Sequence, residues 1–209
     1  MPLRPATAAD RPFLTAMLAE AASWEREPGE PPYPLVDLLG VAQIADYVER
    51  WGRPGDFGML AEQDGEPVGA CWCRRFSAEH PGYGFISEDV PGVSIGIVPE
   101  WRGRGVGRSL LDAVVDAARE RGVQALGLSV SERNLVARHL YERAGFVVAA
   151  AEGDSLTLRL DIQPARRAAE YVYGSSSSPT DTPPTTETTR WIRHRSRKRP
   201  PRRSRRRSA

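Results

Sequence analysis

The stretch "PEWRGRGVGRSLL", Pro99 to Leu111, sets Gly103, Gly105 and Gly107 among Arg102, Arg104 and Arg108, directly ahead of an apolar run. This composition suits an anion. The first turn of a helix leaves backbone N–H groups without intrahelical acceptors, and together they carry about half a positive charge. Glycines let the backbone come close to a phosphate and turn those N–H groups toward it, and guanidinium forks match phosphate oxygens. Two common phosphate loops do not fit. GxxxxGK[ST] requires a lysine that this stretch lacks, and GxGxxG read from Gly103 or Gly105 ends on Arg108 or Leu110. What remains is Arg102-x-x-Gly105-x-Gly107, following Val98-Pro99.

Such a loop needs a strand to enter it and a helix to leave it. "VSIGIV" (93–98) reads as the strand. Gly107–Arg121 reads as the helix, with Leu110, Leu111, Val114, Val115 and Ala118 on one face and Gly122 as its stop. A strand over 123–130 follows, then a helix from Asn134 to Ala144 with Gly145 beyond it, then strands in "FVVAA" and "LTLRLDI". Asn134 stands where a helix cap belongs. Upstream, Leu3–Pro5 reads as a short edge strand. Thr7 and Asp10 form an approximate capping box for a helix carrying Phe13, Met17 and Leu18. The proline-rich stretch 25–36 reads as loop, and Val41, Ile44, Ala45 and Val48 have helical spacing. Phe57–Glu62 and Pro67–Phe76 read as strands joined at Asp64-Gly65, a hairpin signal, and 77–92 reads as a second long loop. The class is α/β.

The net charge of +2 hides an asymmetry. Residues 190–209 hold 11 of the 29 basic side chains and no acidic one, leaving 18 basic against 27 acidic side chains in 1–189. Periodic structure is expected to stop near Ile162, and the Ser/Thr/Pro-rich stretch and arginine run of 163–209 are expected to be disordered. No apolar run approaches the roughly 20 residues that span a bilayer, and the N-terminus lacks the basic-then-apolar pattern of a secretory signal. A cytoplasmic protein without membrane association is expected. Cys71 and Cys73 stand two apart, on one face of a strand, and read as small buried residues rather than a staple. No metal is expected, because these cysteines and His80, His139 and His194 show no ligand spacing.

Taken in order, these features resemble the GNAT superfamily of N-acetyltransferases. Its signature, (Arg/Gln)-x-x-Gly-x-(Gly/Ala) between the fourth strand and the next helix, is matched by Arg102, Gly105 and Gly107. A second block, an Asn followed by a helix ending in Tyr-x-x-x-Gly-Phe, is matched by Asn134, Tyr141, Gly145 and Phe146. The opening "LRPATAAD" is similar to the family's usual start, and the resemblance covers residues 2–162. It implies a mixed, mostly antiparallel sheet of about 6–7 strands flanked by about four helices. It implies acetyl-CoA as co-substrate, with its pyrophosphate on Arg102, Gly103, Arg104, Gly105, Val106, Gly107 and Arg108. Its pantetheine arm would pair with the backbone of Ile97 and Val98, with Asn134 nearby. Tyr141 would protonate the departing thiolate, while an amine of a small molecule, peptide or protein attacks the thioester directly.

Some family members carry a glutamate base on the fourth strand, which here has no carboxylate. Glu62, Glu88 and Asp89 are candidates to replace it, directly or through water, and a weakly basic amine would need no dedicated base. Trp24, Tyr33, Tyr47, Trp51 and Phe85 are candidates to line an acceptor pocket, and the acidic body favours a cationic acceptor such as a polyamine, an aminoglycoside, or a peptide or protein amine. Two other readings stand beside the enzyme. One is a coenzyme A-binding module that senses or scaffolds without turnover. The other is a polyanion or nucleic-acid binder acting through the basic tail alone. A homodimer is compatible with the family.

Overall fold

The computed structural model describes residues 1–163 apart from Pro28. All but the first residue of the expected disordered tail lies outside the described residues. One seven-stranded sheet organises the rest, in the order β1-β2-β3-β4-β5-β7-β6. β1 is Leu3–Pro5, β2 Phe57–Gln63, β3 Glu66–Arg74, β4 Gly92–Ile97, β5 Ala125–Ser131, β6 Val147–Glu152 and β7 Ser155–Asp161. Every neighbouring pair is antiparallel except β4 and β5. Asp64 and Gly65 both take positive φ, 52° and 85°, so the β2–β3 hairpin closes as expected through a tight turn.

Among the described residues, five α-helices accompany the sheet: α1 Arg11–Ala22, α2 Leu35–Leu39, α3 Ala42–Ala45, α4 Val106–Glu120 and α5 Leu135–Arg143. α4 buries Leu110, Leu111, Val114 and Ala118 against one face of the sheet, in a core that also holds Cys71, Cys73, Leu126 and Leu128. α1 covers the opposite face with Leu14, Met17 and Leu18, beside Leu60, Ala70 and Trp72. It lies so close to β4 that a Cβ on Gly96 would come within 2.3 Å of the Met17 carbonyl oxygen. Alternation along β4 assigns Val93 to the first core and Val98, just beyond the strand, to the second.

The helical spacing of 41–48 yields only four residues of α-helix. The reason is tertiary. Arg74 is fully buried, and its guanidinium donates to the carbonyls of Asp46 and Glu49 while pairing with Asp56 at 2.7 Å. A buried guanidinium needs all these acceptors, and the chain turns around it through Arg50 at φ 51°. The same segment ends at Trp51, whose indole N–H donates to the Thr7 carbonyl at 2.8 Å.

Candidate active site

β4 and β5 are paired at a single position, Gly92 opposite Gly127, held by the Gly127 N–H donating to the Pro91 carbonyl. Beyond it the two parallel strands part, and a cleft of about 930 Å³ opens between them. Which backbone groups face that opening follows from the β3–β4 register. The Val98 N–H donates to the Val68 carbonyl at 3.0 Å. Pairing alternates along an antiparallel ladder, so Ser94, Gly96 and Val98 turn their N–H and C=O groups toward β3. Those of Ile95 and Ile97 turn toward the missing partner. The Ile97 carbonyl accordingly accepts from Arg102 Nε at 3.1 Å. The geometry therefore presents Ile97 as expected but turns the Val98 backbone into the sheet, and adds Ile95. Counting alternation back from Val98 would have found Ile95 only with the strand pairing in hand.

The glycine loop closes one end of the cleft. Gly103 and Gly105 have φ of 72° and 83°, and a Cβ at either would meet nothing within 4 Å. Gly105 caps α4, and the first N–H of that helix to find a helical acceptor is that of Ser109, on the Gly105 carbonyl. The N–H groups of Gly103 through Arg108 have no backbone acceptor among the described residues. Six successive donors at a helix start, with open space over two glycines, fit a pyrophosphate. The arginines differ in what they do. Arg102 spans from Ile97 to Glu20 Oε2, 2.5 Å away. Arg104 stacks on the Trp101 ring at 4.8 Å and does not line the cleft. Arg108 lines it, pairs with Asp112 at 2.7 Å and donates to the Arg143 carbonyl. Val106 is buried in the core, 2% exposed, so only its backbone is available to a ligand.

Asn134 and Tyr141 lie along the β5–α5 wall of the same cleft. Asn134 Oδ1 accepts from the Ala137 N–H at 3.1 Å and so caps α5, while the residue still faces the opening. Tyr141 is 6% exposed, with its ring tilted against Phe146 at 5.7 Å between centroids. Burial pushes its phenol pKa upward, so the group keeps its proton at neutral pH and can give it to an anion. Tyr47 is also buried and raised, but its hydroxyl is engaged with the Tyr83 carbonyl at 3.2 Å.

The carboxylates expected to serve as bases stand elsewhere. Glu62 pairs with Arg4 at 2.6 Å, and Glu88 and Asp89 line a separate pocket of about 450 Å³ with Arg50 and Arg53. Among the described residues that line the cleft, Glu20 is the one carboxylate, and it is held by both Arg26 and Arg102 at 2.5 Å. Of the aromatic candidates, Trp24 and Tyr47 line the cleft, whereas Tyr33, Trp51 and Phe85 do not; Tyr83, which composition did not single out, does.

One splayed parallel pair, a loop of unpaired backbone N–H groups at its mouth and a buried phenol on its wall make an arrangement suited to acyl transfer. Residues 16–146 match the acetyltransferase (GNAT) family, and the chain belongs to that family. It is 32% identical over 129 residues to the mycothiol acetyltransferase of Propionibacterium freudenreichii subsp. shermanii, a match covering 62% of this chain and 37% of that protein. The chain thus spans well under half the length of this curated relative. Among solved structures it is similar to the ribosomal-protein-alanine N-acetyltransferase of Brucella melitensis, with 26% identity, a TM-score of 0.55, and coverage of 77% of this chain and 99% of that one. A putative acetyltransferase of Salmonella typhimurium, solved with acetyl-CoA, shares the fold at 20% identity and a TM-score of 0.58, covering 78% and 94%. The family also accounts for the sheet order and the mixed α/β class.

Proposed function

We propose that this chain is an acetyl-CoA-dependent N-acetyltransferase in which an amine attacks the thioester directly while both substrates are bound. The observation that carries the reading is the parting of β4 from β5, which leaves Ile95 and Ile97 without strand partners in line with the Gly103–Arg108 donors. Acetyl-CoA supplies the activated acyl group. The loop N–H groups bind its pyrophosphate, and the free backbone groups of β4 pair with its pantetheine amides as a strand would. A β4 N–H directed at the thioester oxygen stabilises the charge that develops there. Tyr141 donates its proton to the departing sulfur. Asn134, with Oδ1 in the α5 cap, retains its amide N–H₂ for the pantetheine arm.

The amine must lose a proton, and Glu20 is engaged with two guanidinium groups. The acceptor therefore enters as the free base, and kcat/KM for the amine rises with pH up to the amine's own pKa. Once its nitrogen has attacked, the proton it sheds passes through water to the phenolate left when Tyr141 protonates the sulfur. Thermal unfolding tests the cofactor reading first. Acetyl-CoA at about 100 times its Kd should stabilise the protein by roughly 2.7 kcal/mol, with adenine nucleotides giving much less. No shift at millimolar acetyl-CoA would remove the enzyme reading.

A further inference from the structure

Resting on that reading, we infer that the acceptor is a monoamine with an otherwise uncharged, apolar or aromatic body, rather than a polycation. The α1 side of the cleft is walled by Leu18, Trp24, Ile44, Tyr47 and Tyr83. Tyr47 and Tyr83 form one continuous wall, because the buried Tyr47 hydroxyl donates to the Tyr83 carbonyl and the Tyr47 ring packs on Phe76 at 4.7 Å. The loop carrying Tyr83 is fixed in place. Gly84 (φ 69°) lies so close to β5 that a Cβ there would fall 2.6 Å from the Leu128 carbonyl carbon and oxygen. The wall is therefore a built surface, and Tyr83 on it is 48% exposed.

The charges point the same way. Among the described residues, the ionisable side chains lining the cleft are Glu20, Arg102, Arg108 and Arg133, apart from the phenols. Glu20 is neutralised twice over, and Arg133 is tied to Glu25 at 3.1 Å. A second or third ammonium on an acceptor would enter a cleft whose described lining offers no free carboxylate, and would leave water without a partner. One uncharged amine on an apolar or aromatic frame incurs no such cost and gains the contact area of the wall. Among the described residues, the acidity of the chain does not gather on this surface, and the inference therefore departs from the cationic acceptor expected from net charge.

The experiment compares acceptors on the full chain, following thiol release from acetyl-CoA with phenethylamine and tryptamine against spermidine and kanamycin. The aromatic monoamines should show kcat/KM at least tenfold above either polycation. Tyr83→Ala, which keeps the carbonyl that Tyr47 needs, should raise the phenethylamine KM at least fivefold and move the acetyl-CoA KM less than twofold. Preference for spermidine or kanamycin overturns the inference. So does saturation by acetyl-CoA with no turnover of either aromatic amine, or a phenethylamine KM unchanged in Tyr83→Ala. A separate binding measurement distinguishes these from failure of the enzyme reading, in which acetyl-CoA itself does not bind.

Discussion

Tyr141 shows why helical spacing alone cannot separate a packing role from the proton-donor role proposed for it. Its place in the stripe Ala137, Leu140, Tyr141, Ala144 assigns it to the core, and its ring is indeed packed there against Phe146. Its position on the cleft wall is what supports the proposed proton-donor role. Tyr141→Phe keeps the ring and removes the proton. It should lower kcat by about 10²–10⁴-fold, the usual worth of a general acid, with the acetyl-CoA Kd within twofold of the parent by titration calorimetry. Glu20 is the residue that sequence reasoning passed over, because a lone glutamate near a helix end has no motif. Its carboxylate joins Arg26 of the following loop to Arg102 of the anion loop. Arg102 is substantially exposed, so the pair is partly screened. Glu20→Gln should therefore raise the acetyl-CoA KM only about two- to fivefold, with kcat changed less, in steady-state assays at low salt.

At the scale of elements, strand, glycine loop and helix were legible because each has a local cause: β-branched residues in β4, positive φ at Gly103 and Gly105, and an apolar stripe on α4. The hairpin at Asp64-Gly65 and the stops at Gly122 and Gly145 are equally local, all four residues having φ above zero. The 41–48 helix was not, because Arg74, on a strand more than twenty residues away, claims its carbonyls. The acceptor-side loop behaves likewise. Nothing local marks Gly84, yet its backbone rests on Leu128 and Ser129. Gly84→Ala adds strain at positive φ to a backbone clash, and should destabilise the protein by about 2 kcal/mol or more. Urea denaturation would measure it, and acceptor KM should rise with it as the Tyr83 wall shifts.

For the whole molecule, the amino terminus is tied to the sheet by a charge cluster. Arg4 pairs with both Asp10 and Glu62, and Asp10 also accepts from the Thr7 N–H and hydroxyl. The hydrogen bond from Arg4 is the main cause that lowers the Asp10 pKa, against the opposing effect of burial. A carboxyl whose pKa is lower folded than unfolded stabilises fully above its unfolded value, near 4, and loses that stability as pH falls through the folded value. Stability should therefore decline as pH drops below about 4. Asp10→Asn should be less stable at neutral pH and flatter across the acid range, as read from denaturation midpoints at a series of pH values. No helix among the described residues is long and apolar enough to cross a membrane.

By itself the sequence determined the order of elements, the glycine loop and the family resemblance, since these depend on contacts within a few residues of one another. Tertiary structure alone decided that β4 and β5 part after one pair, that Ile95 rather than Val98 turns its backbone to the gap, and that Glu20 is the carboxylate at the cleft. It also decided that Tyr47 and Tyr83, from two distant segments, are joined by a hydrogen bond and line the same cleft. Strand partners, ion pairs between remote segments and the sign of charge in a cleft are set by which surfaces meet. Composition sums charge over the whole chain, whereas a substrate meets only the few side chains that the fold brings together.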